Sequence, residues 1–296
     1  MTTSKDRFGL SVALSTPFRR DASVDLARLA NHAAWVLEHG ARSVTLCGTT
    51  GEGASIGLNE RAKMLGALQG AGIATSQIVV GVAASSLEEA SAQARMGLDT
   101  GCKGLLVAPA FYFKGVSDDG VFAWFARLFE RTPGIRDVIL YHIPQVTAVG
   151  IPPAVVSRLR QAFPDVIAGV KDSSGEAANT AKLLEDHRDL AILVGDERQL
   201  AGAVRNGSQG TICGCANFMP EVLAPVANEG REDPRVKAVV DLVLSFPVMS
   251  AVKGLIAHRT GDAGWLEVCP PLEPLTEGQF RDLTAAFDRI MEAKAA

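Results

Sequence analysis

No basic block interrupts the chain, and acidic side chains outnumber basic ones 33 to 29, for a formal net charge of −4. Nucleic acid is therefore not an expected partner. Long apolar runs are missing too. The longest nearly apolar stretch, residues 105–113, is broken by Pro109 and falls short of the roughly 18 residues a membrane helix needs, so no membrane span is expected. Residues 1–10 place Lys5, Asp6 and Arg7 ahead of any apolar stretch, without the apolar core of a secretory signal, and the expected compartment is the cytoplasm. Cysteine is sparse and odd in number: Cys47, Cys102, Cys213, Cys215 and Cys269. Cys213-x-Cys215 alone lacks the paired spacing of a zinc site, and free Cys is usually buried, so these read as reduced thiols of the core or of a site. Tyrosine is scarcer still, with only Tyr112 and Tyr141.

What is present is ordinary for a soluble protein: 47% hydrophobic and 21% charged residues over 296 positions, enough to bury a full core. Short apolar runs alternate with longer amphipathic stretches as far as about residue 215, the pattern of repeated βα units around a parallel sheet. The runs end near Phe18, Thr50, Val82, Pro109, Tyr141, Lys171, Gly195 and Cys213, and eight strands fit an α/β fold of the (β/α)8 TIM-barrel type. A doubly wound open sheet shows the same alternation. It loses ground because Gly48-Thr49-Thr50-Gly51-Glu52-Gly53, which follows an apolar run, is neither G-x-G-x-x-G nor a loop ending in Gly-Lys-Ser/Thr. Local punctuation supports the helices. Ser86 caps a helix with Glu89 as its capping-box partner, and Gly101 ends that helix. Leu26, Leu29, Ala30, Ala33 and Leu37 form a helical stripe between Asp25 and a stop at Gly40. Beyond Cys215 four helices are expected at about 219–229, 234–245, 248–260 and 277–293, giving a barrel over 1–218 and a C-terminal helical extension over 219–296.

Polar residues closing apolar strands converge on one face of a parallel barrel, and three places qualify. In Gly48-Thr49-Thr50-Gly51-Glu52 two hydroxyls lie between glycines that let backbone N–H groups approach a small carboxylate, although a self-bonded turn would read the same way. In Leu140-Tyr141-His142-Ile143-Pro144 a tyrosine ends a strand, where packing is its commonest role. His142 beside it has no second ligand at metal spacing. In Gly169-Val170-Lys171-Asp172 a lysine closes an almost wholly apolar strand. An ammonium there meets an anion, Asp172 being one candidate, or gives up its proton. A neutral amine attacks carbonyls, and the imine it forms is an electron sink for making or breaking an adjacent C–C bond. Tyr141 and Lys171 close consecutive strands about 4.8 Å apart, so their heads can meet at one reacting atom, with a Thr hydroxyl relaying protons.

These residues resemble the dihydrodipicolinate synthase and N-acetylneuraminate lyase family of pyruvate-dependent Schiff-base aldolases and lyases. The likeness runs over nearly the whole chain through five motifs in order: the two glycine–threonine and tyrosine segments, Gly169-Val170-Lys171-Asp172, Gly195-Asp196-Glu197 and residues 210–217, which include Ile212. It implies a barrel with a C-terminal helical region, assembled as a homotetramer of two tight dimers, without metal or organic cofactor. It implies that Lys171 forms the imine with pyruvate or another 2-oxo acid and that Tyr141 moves protons and positions the acceptor. Thr49 would relay protons, and Thr50, Gly48, Ile212 and nearby N–H groups would bind substrate. Tyr112, or its neighbour Phe113, stands where the synthases carry a tyrosine that reaches the neighbouring subunit's site.

One departure concerns the acceptor. Two residues past Pro144, where the lysine-pathway synthases hold the carboxylate of aspartate semialdehyde with an arginine, this chain has Val146, which cannot make that charge-assisted contact. The sialic acid lyases also have an apolar residue there, yet residues 210–215 lack the serine those enzymes use. The leading expectation is a lyase or aldolase that joins pyruvate to an aldehyde, or cleaves or dehydrates a 2-oxo-3-deoxy sugar acid. A true 4-hydroxy-tetrahydrodipicolinate synthase and a catalytically silent 2-oxo acid sensor are the alternatives, the sensor having no need of a complete proton relay.

Overall fold

The computed structural model describes residues 7–292. The N-terminal residues 1–6, part of the segment expected to carry no signal, and residue 293, the expected end of the last helix, lie outside that range. Eight strands run β1 Gly9–Ala13, β2 Ser43–Leu46, β3 Ile78–Val82, β4 Gly104–Val107, β5 Val138–His142, β6 Ile167–Asp172, β7 Ala191–Val194 and β8 Gly210–Cys213. Each pairs in parallel with the next, and β1 pairs with β8, so the sheet closes into a barrel and the open-sheet alternative falls. The helices between them are α1 Leu26–Glu38, α2 Leu58–Gly70, α3 Leu87–Thr100, α4 Asp118–Arg131, α5 Pro144–Thr147, α6 Pro153–Ala162, α7 Ala177–Asp186 and α8 Glu197–Arg205. After β8 follow α9 Pro220–Glu229, α10 Pro234–Leu244, α11 Val248–Thr260 and α12 Glu277–Glu292, each within about a residue of its expected bounds where described.

The strands alternate between two apolar environments. Ala13, Val79, Leu106, Ile139, Tyr141, Leu193 and Ile212 fill the barrel interior, while residues such as Val12, Val80, Leu140 and Val170 belong to the layer under the helices. Helix ends follow local chemistry. The Asp25 side chain accepts from the Arg28 amide and Ser86 from the Glu89 amide, and Gly101 takes the left-handed conformation that ends α3. The Ser86 capping box forms only by half, because the Glu89 carboxylate accepts a hydrogen bond from Gln93 instead. α9 packs on β1 and α8, and α10 packs on α8, α11 and α12, so the C-terminal helices share the barrel's apolar layer.

Two strands stop four or more residues short of their expected ends. β1 ends at Ala13 because residues 17–24 turn back in a small antiparallel bridge between Phe18 and Val24. β2 ends at Leu46 because Cys47 adopts a left-handed φ of 57°, which takes the chain out of the ladder before Thr50.

Candidate active site

β5 and β6 carry the centre. Tyr141 and Lys171 are register partners, and the period of two turns both inward, so an amine and a phenol share the top of the barrel. Each is only 5% exposed. The Lys171 Nζ sits 4.2 Å from the centre of the Tyr141 ring. Asp172, the other residue expected to reach it, points outward: its carboxylate accepts from the Ser174 amide and hydroxyl, Asn179 and Thr180. Lys171 therefore has no ion pair among the described residues, and its Nζ packs against an aromatic face in place of the salt bridge that stood as the alternative reading. His142 faces away from the centre and accepts a hydrogen bond from the Ile151 amide through Nδ1 at 2.8 Å; burial lowers its pKa, which keeps it a neutral acceptor.

The loop after β2 brings the hydroxyl. Thr49 Oγ1 lies 3.2 Å from the Tyr141 Oη. Gly51 and Gly53 make this loop possible: a Cβ on Gly53 would lie 1.9 Å from the Cys47 carbonyl oxygen, and one on Gly51 would lie 2.5 Å from that of Leu14. Gly48 is buried without such crowding, and it helps shape the turn by accepting from the Gly53 amide rather than by lining the cavity.

Two buried cations hold the loop from outside. Arg61 on α2 donates to the carbonyls of Ile56, Gly53 and Gly81 at 2.9, 2.6 and 2.7 Å. Lys253 on α11 forms an ion pair with Glu52, donates to the Glu267 carbonyl at 2.8 Å and lies over the Phe18 ring. The second oxygen of Glu52 accepts from the Cys269 amide. Burial pulls the Lys253 pKa down while the Glu52 charge opposes it. Neither cation was among the expected site residues. Lys253 carries a readable signal, a single cation in the otherwise uncharged and buried run 250–257, where a charge demands a partner.

Lys171, Tyr141, Thr49, Thr50 and Ile212 open onto one cavity of about 460 Å³. Its polar side is completed by Gln145, Ser173, Ser174, Asp196, Glu197 and Arg198, and its outer wall by apolar residues of α10 and α11. Tyr112 stands apart. It is 77% exposed on the loop between β4 and α4, touches Phe113 edge to face, and is absent from the cavity wall of a single chain. The cysteines divide as expected between core and site: Cys47 is buried, and Cys213 and Cys215 line the cavity with thiols that burial pushes well above the ordinary range. Among the described residues no group of three or more His, Cys, Asp or Glu side chains is placed to hold a metal ion, and no helix is long and apolar enough to cross a membrane.

This arrangement has counterparts. The sequence model of the dihydrodipicolinate synthetase family matches residues 6–286. An uncharacterised DapA-like lyase of Chloroflexus aurantiacus is 31% identical over 96% of this chain and 97% of its own length. The crystal structure of dihydrodipicolinate synthase from Agrobacterium tumefaciens superimposes with a TM-score of 0.95 at 46% identity, covering 97% of this chain and all of that one. A variant of Sulfolobus solfataricus 2-keto-3-deoxygluconate aldolase solved with pyruvate shares the fold at a TM-score of 0.83 and 23% identity, over 95% of this chain and 96% of that one.

Proposed function

Since the chain belongs to the dihydrodipicolinate synthetase family and is a lyase of the aldolase type, we propose that it works through a Schiff base, with Lys171 its imine-forming amine and pyruvate or a related 2-oxo acid its donor substrate. The observation that carries this reading is the buried Lys171 amine, free of any carboxylate partner among the described residues, against the ring of a tyrosine whose hydroxyl meets Thr49. An amine tied up in a salt bridge would first have to break it.

The Lys171 amine adds to the 2-oxo carbon, and loss of water gives the imine. Thr49 and Tyr141 pass the protons that turn the carbonyl oxygen into that water. The 2-oxo acid's carboxylate is taken by Thr50, whose hydroxyl has no partner among the described residues, and by the N–H groups of the loop. The protonated imine gives up a methyl proton to the Tyr141 oxygen left bare by that step, and the carbon of the resulting enamine attacks an aldehyde. The new alkoxide takes a proton from Tyr141, and water hydrolyses the imine to release a 4-hydroxy-2-oxo acid and the free amine. Cleavage runs the same steps backwards. Residues 1–218 supply this chemistry and residues 219–296 the outer wall, within a cytoplasmic homotetramer in which Tyr112 or Phe113 meets a neighbouring copy's site.

Borohydride reduction in the presence of pyruvate tests the reading. A stable adduct should map to Lys171 by peptide mass, and Lys171→Ala should lose both the adduct and nearly all turnover. A folded wild-type protein giving no adduct with several 2-oxo acids overturns it.

A further inference from the structure

The large exposed apolar side chains do not scatter over the surface. Among the described residues there are six, and three of them, Val146 at 59%, Leu244 at 51% and Val248 at 37% exposure, stand together on the rim of the cavity that holds Lys171. Behind them Ile143, Val240, Val243, Met249 and Val252 continue the apolar surface inward. The spacing of Val240, Val243 and Leu244 along α10 turns one helical face to the cavity.

The polar residues of the wall are largely committed to one another. Arg198 is the only cation there besides Lys171, and its guanidinium donates to both oxygens of Asp196, at 2.8 to 3.3 Å, and to Asp241 at 2.9 Å. Glu197 accepts from the Cys215 amide, Gln145 donates to the Ser173 carbonyl, and the Ser174 hydroxyl donates to Asp172. The two thiols are kept neutral by burial. A second carboxylate would find no unpaired cation among the described lining residues, and a chain of hydroxyls would have to leave water for an aliphatic rim.

Resting on the imine reading above, we propose that the aldehyde joined to or released from the donor carries an apolar tail, alkyl or aryl, which lies along Val146, Leu244 and Val248. The donor occupies the inner end between Thr50 and Lys171, and the cavity is far larger than pyruvate needs. The tail removes apolar surface from water on both sides of the contact, the kind of gain that discriminates between substrates by about tenfold or more for each well-buried group.

The test compares kcat/KM for pyruvate with pentanal, benzaldehyde, glyceraldehyde and succinic semialdehyde, using wild type and Val146→Arg, with borohydride trapping of pyruvate on the wild type as control. Pentanal and benzaldehyde should exceed the other two by about tenfold or more. Val146→Arg should invert the order toward succinic semialdehyde, a swap that a general loss of structure would not produce. Trapping on Lys171 with a preference for the hydroxylated or anionic aldehyde overturns the apolar assignment and leaves the imine reading standing, as does a preference that Val146→Arg leaves in place. Failure of trapping overturns both.

Discussion

The loops after β2 and β4 occupy equivalent places at the top of the barrel, and each carries a hydroxyl-bearing residue that the sequence offers to the site. They differ in what holds them. Around Thr49 and Thr50 the chain is fixed from three directions: Arg61 on its carbonyls, Lys253 through Glu52, and the Thr16 hydroxyl donating to the Gly51 carbonyl at 2.7 Å. Around Tyr112 the two aromatic rings touch each other, Phe111 is tied to the Ser85 hydroxyl, and residues 113–120 are exposed. A strand-end position marks a functional residue only where its neighbours fix it in the chain's own cavity. Tyr112, without such fastenings, stands 77% exposed on the surface of its own chain.

Removing one anchor should break this contrast most visibly. Lys253→Met leaves Glu52 charged and buried, and the loss of one partner of such a pair costs about 3–5 kcal/mol, a fall in melting temperature on the order of 10 °C by calorimetry. Adding Glu52→Gln to it should recover part of the loss, since the remaining charge is then gone. Arg61→Met strands three carbonyls at about 1–3 kcal/mol each in the worst case. It should also raise the KM for pyruvate through the displaced threonines, a shift that steady-state kinetics would separate from simple unfolding.

A third fastening, at the ends of β1 and β8, responds to acid. Asn217 Oδ1 accepts from the Ser15 amide, so the His32 Nε2 beside it, at 3.1 Å, is the donor of their hydrogen bond. Burial lowers the His32 pKa to about 4 from 6.5. Between those values the unfolded chain binds the proton more readily than the folded one, so stability is full above pH 6.5 and declines as pH falls toward 4. The slope reaches about 1.4 kcal/mol per pH unit and the total about 3 kcal/mol. Urea unfolding of wild type against His32→Gln at pH 7 and 4.5 should show the slope reduced in the variant.

The smallest stability effect belongs to the free loop. Tyr112→Phe should change unfolding free energy by less than about 0.5 kcal/mol. A fall in kcat with unchanged melting would then place its hydroxyl in the site of a neighbouring copy.

The barrel was legible because its signals are local: apolar strands, capping side chains and helical stripes each act within a few residues. Lys171 and Tyr141 were legible because each precedes the last residue of its strand and the period of two turns both inward, while His142 and Asp172 beside them turn away. The clamp was not, since Glu52 and Lys253 belong to opposite ends of the sequence and nothing near either names the other. The apolar rim was hidden for a related reason. Val240, Val243 and Val248 read as ordinary helix core, and only the docking of α10 and α11 across the barrel mouth turns them toward substrate. The overrun at Thr50 has a purely local cause that periodicity does not register, the left-handed turn at Cys47.

The Glu52–Lys253 contact also imposes an order in time. During synthesis the lysine, tyrosine and threonines are all joined well before the segment that begins at Val248. Until that segment arrives, Glu52 lacks its ion-pair partner, and its loop has only the fastenings that Arg61 and Thr16 supply. The last of the three fastenings therefore closes only when translation is nearly finished, well after Lys171, Tyr141 and Thr49 have been joined.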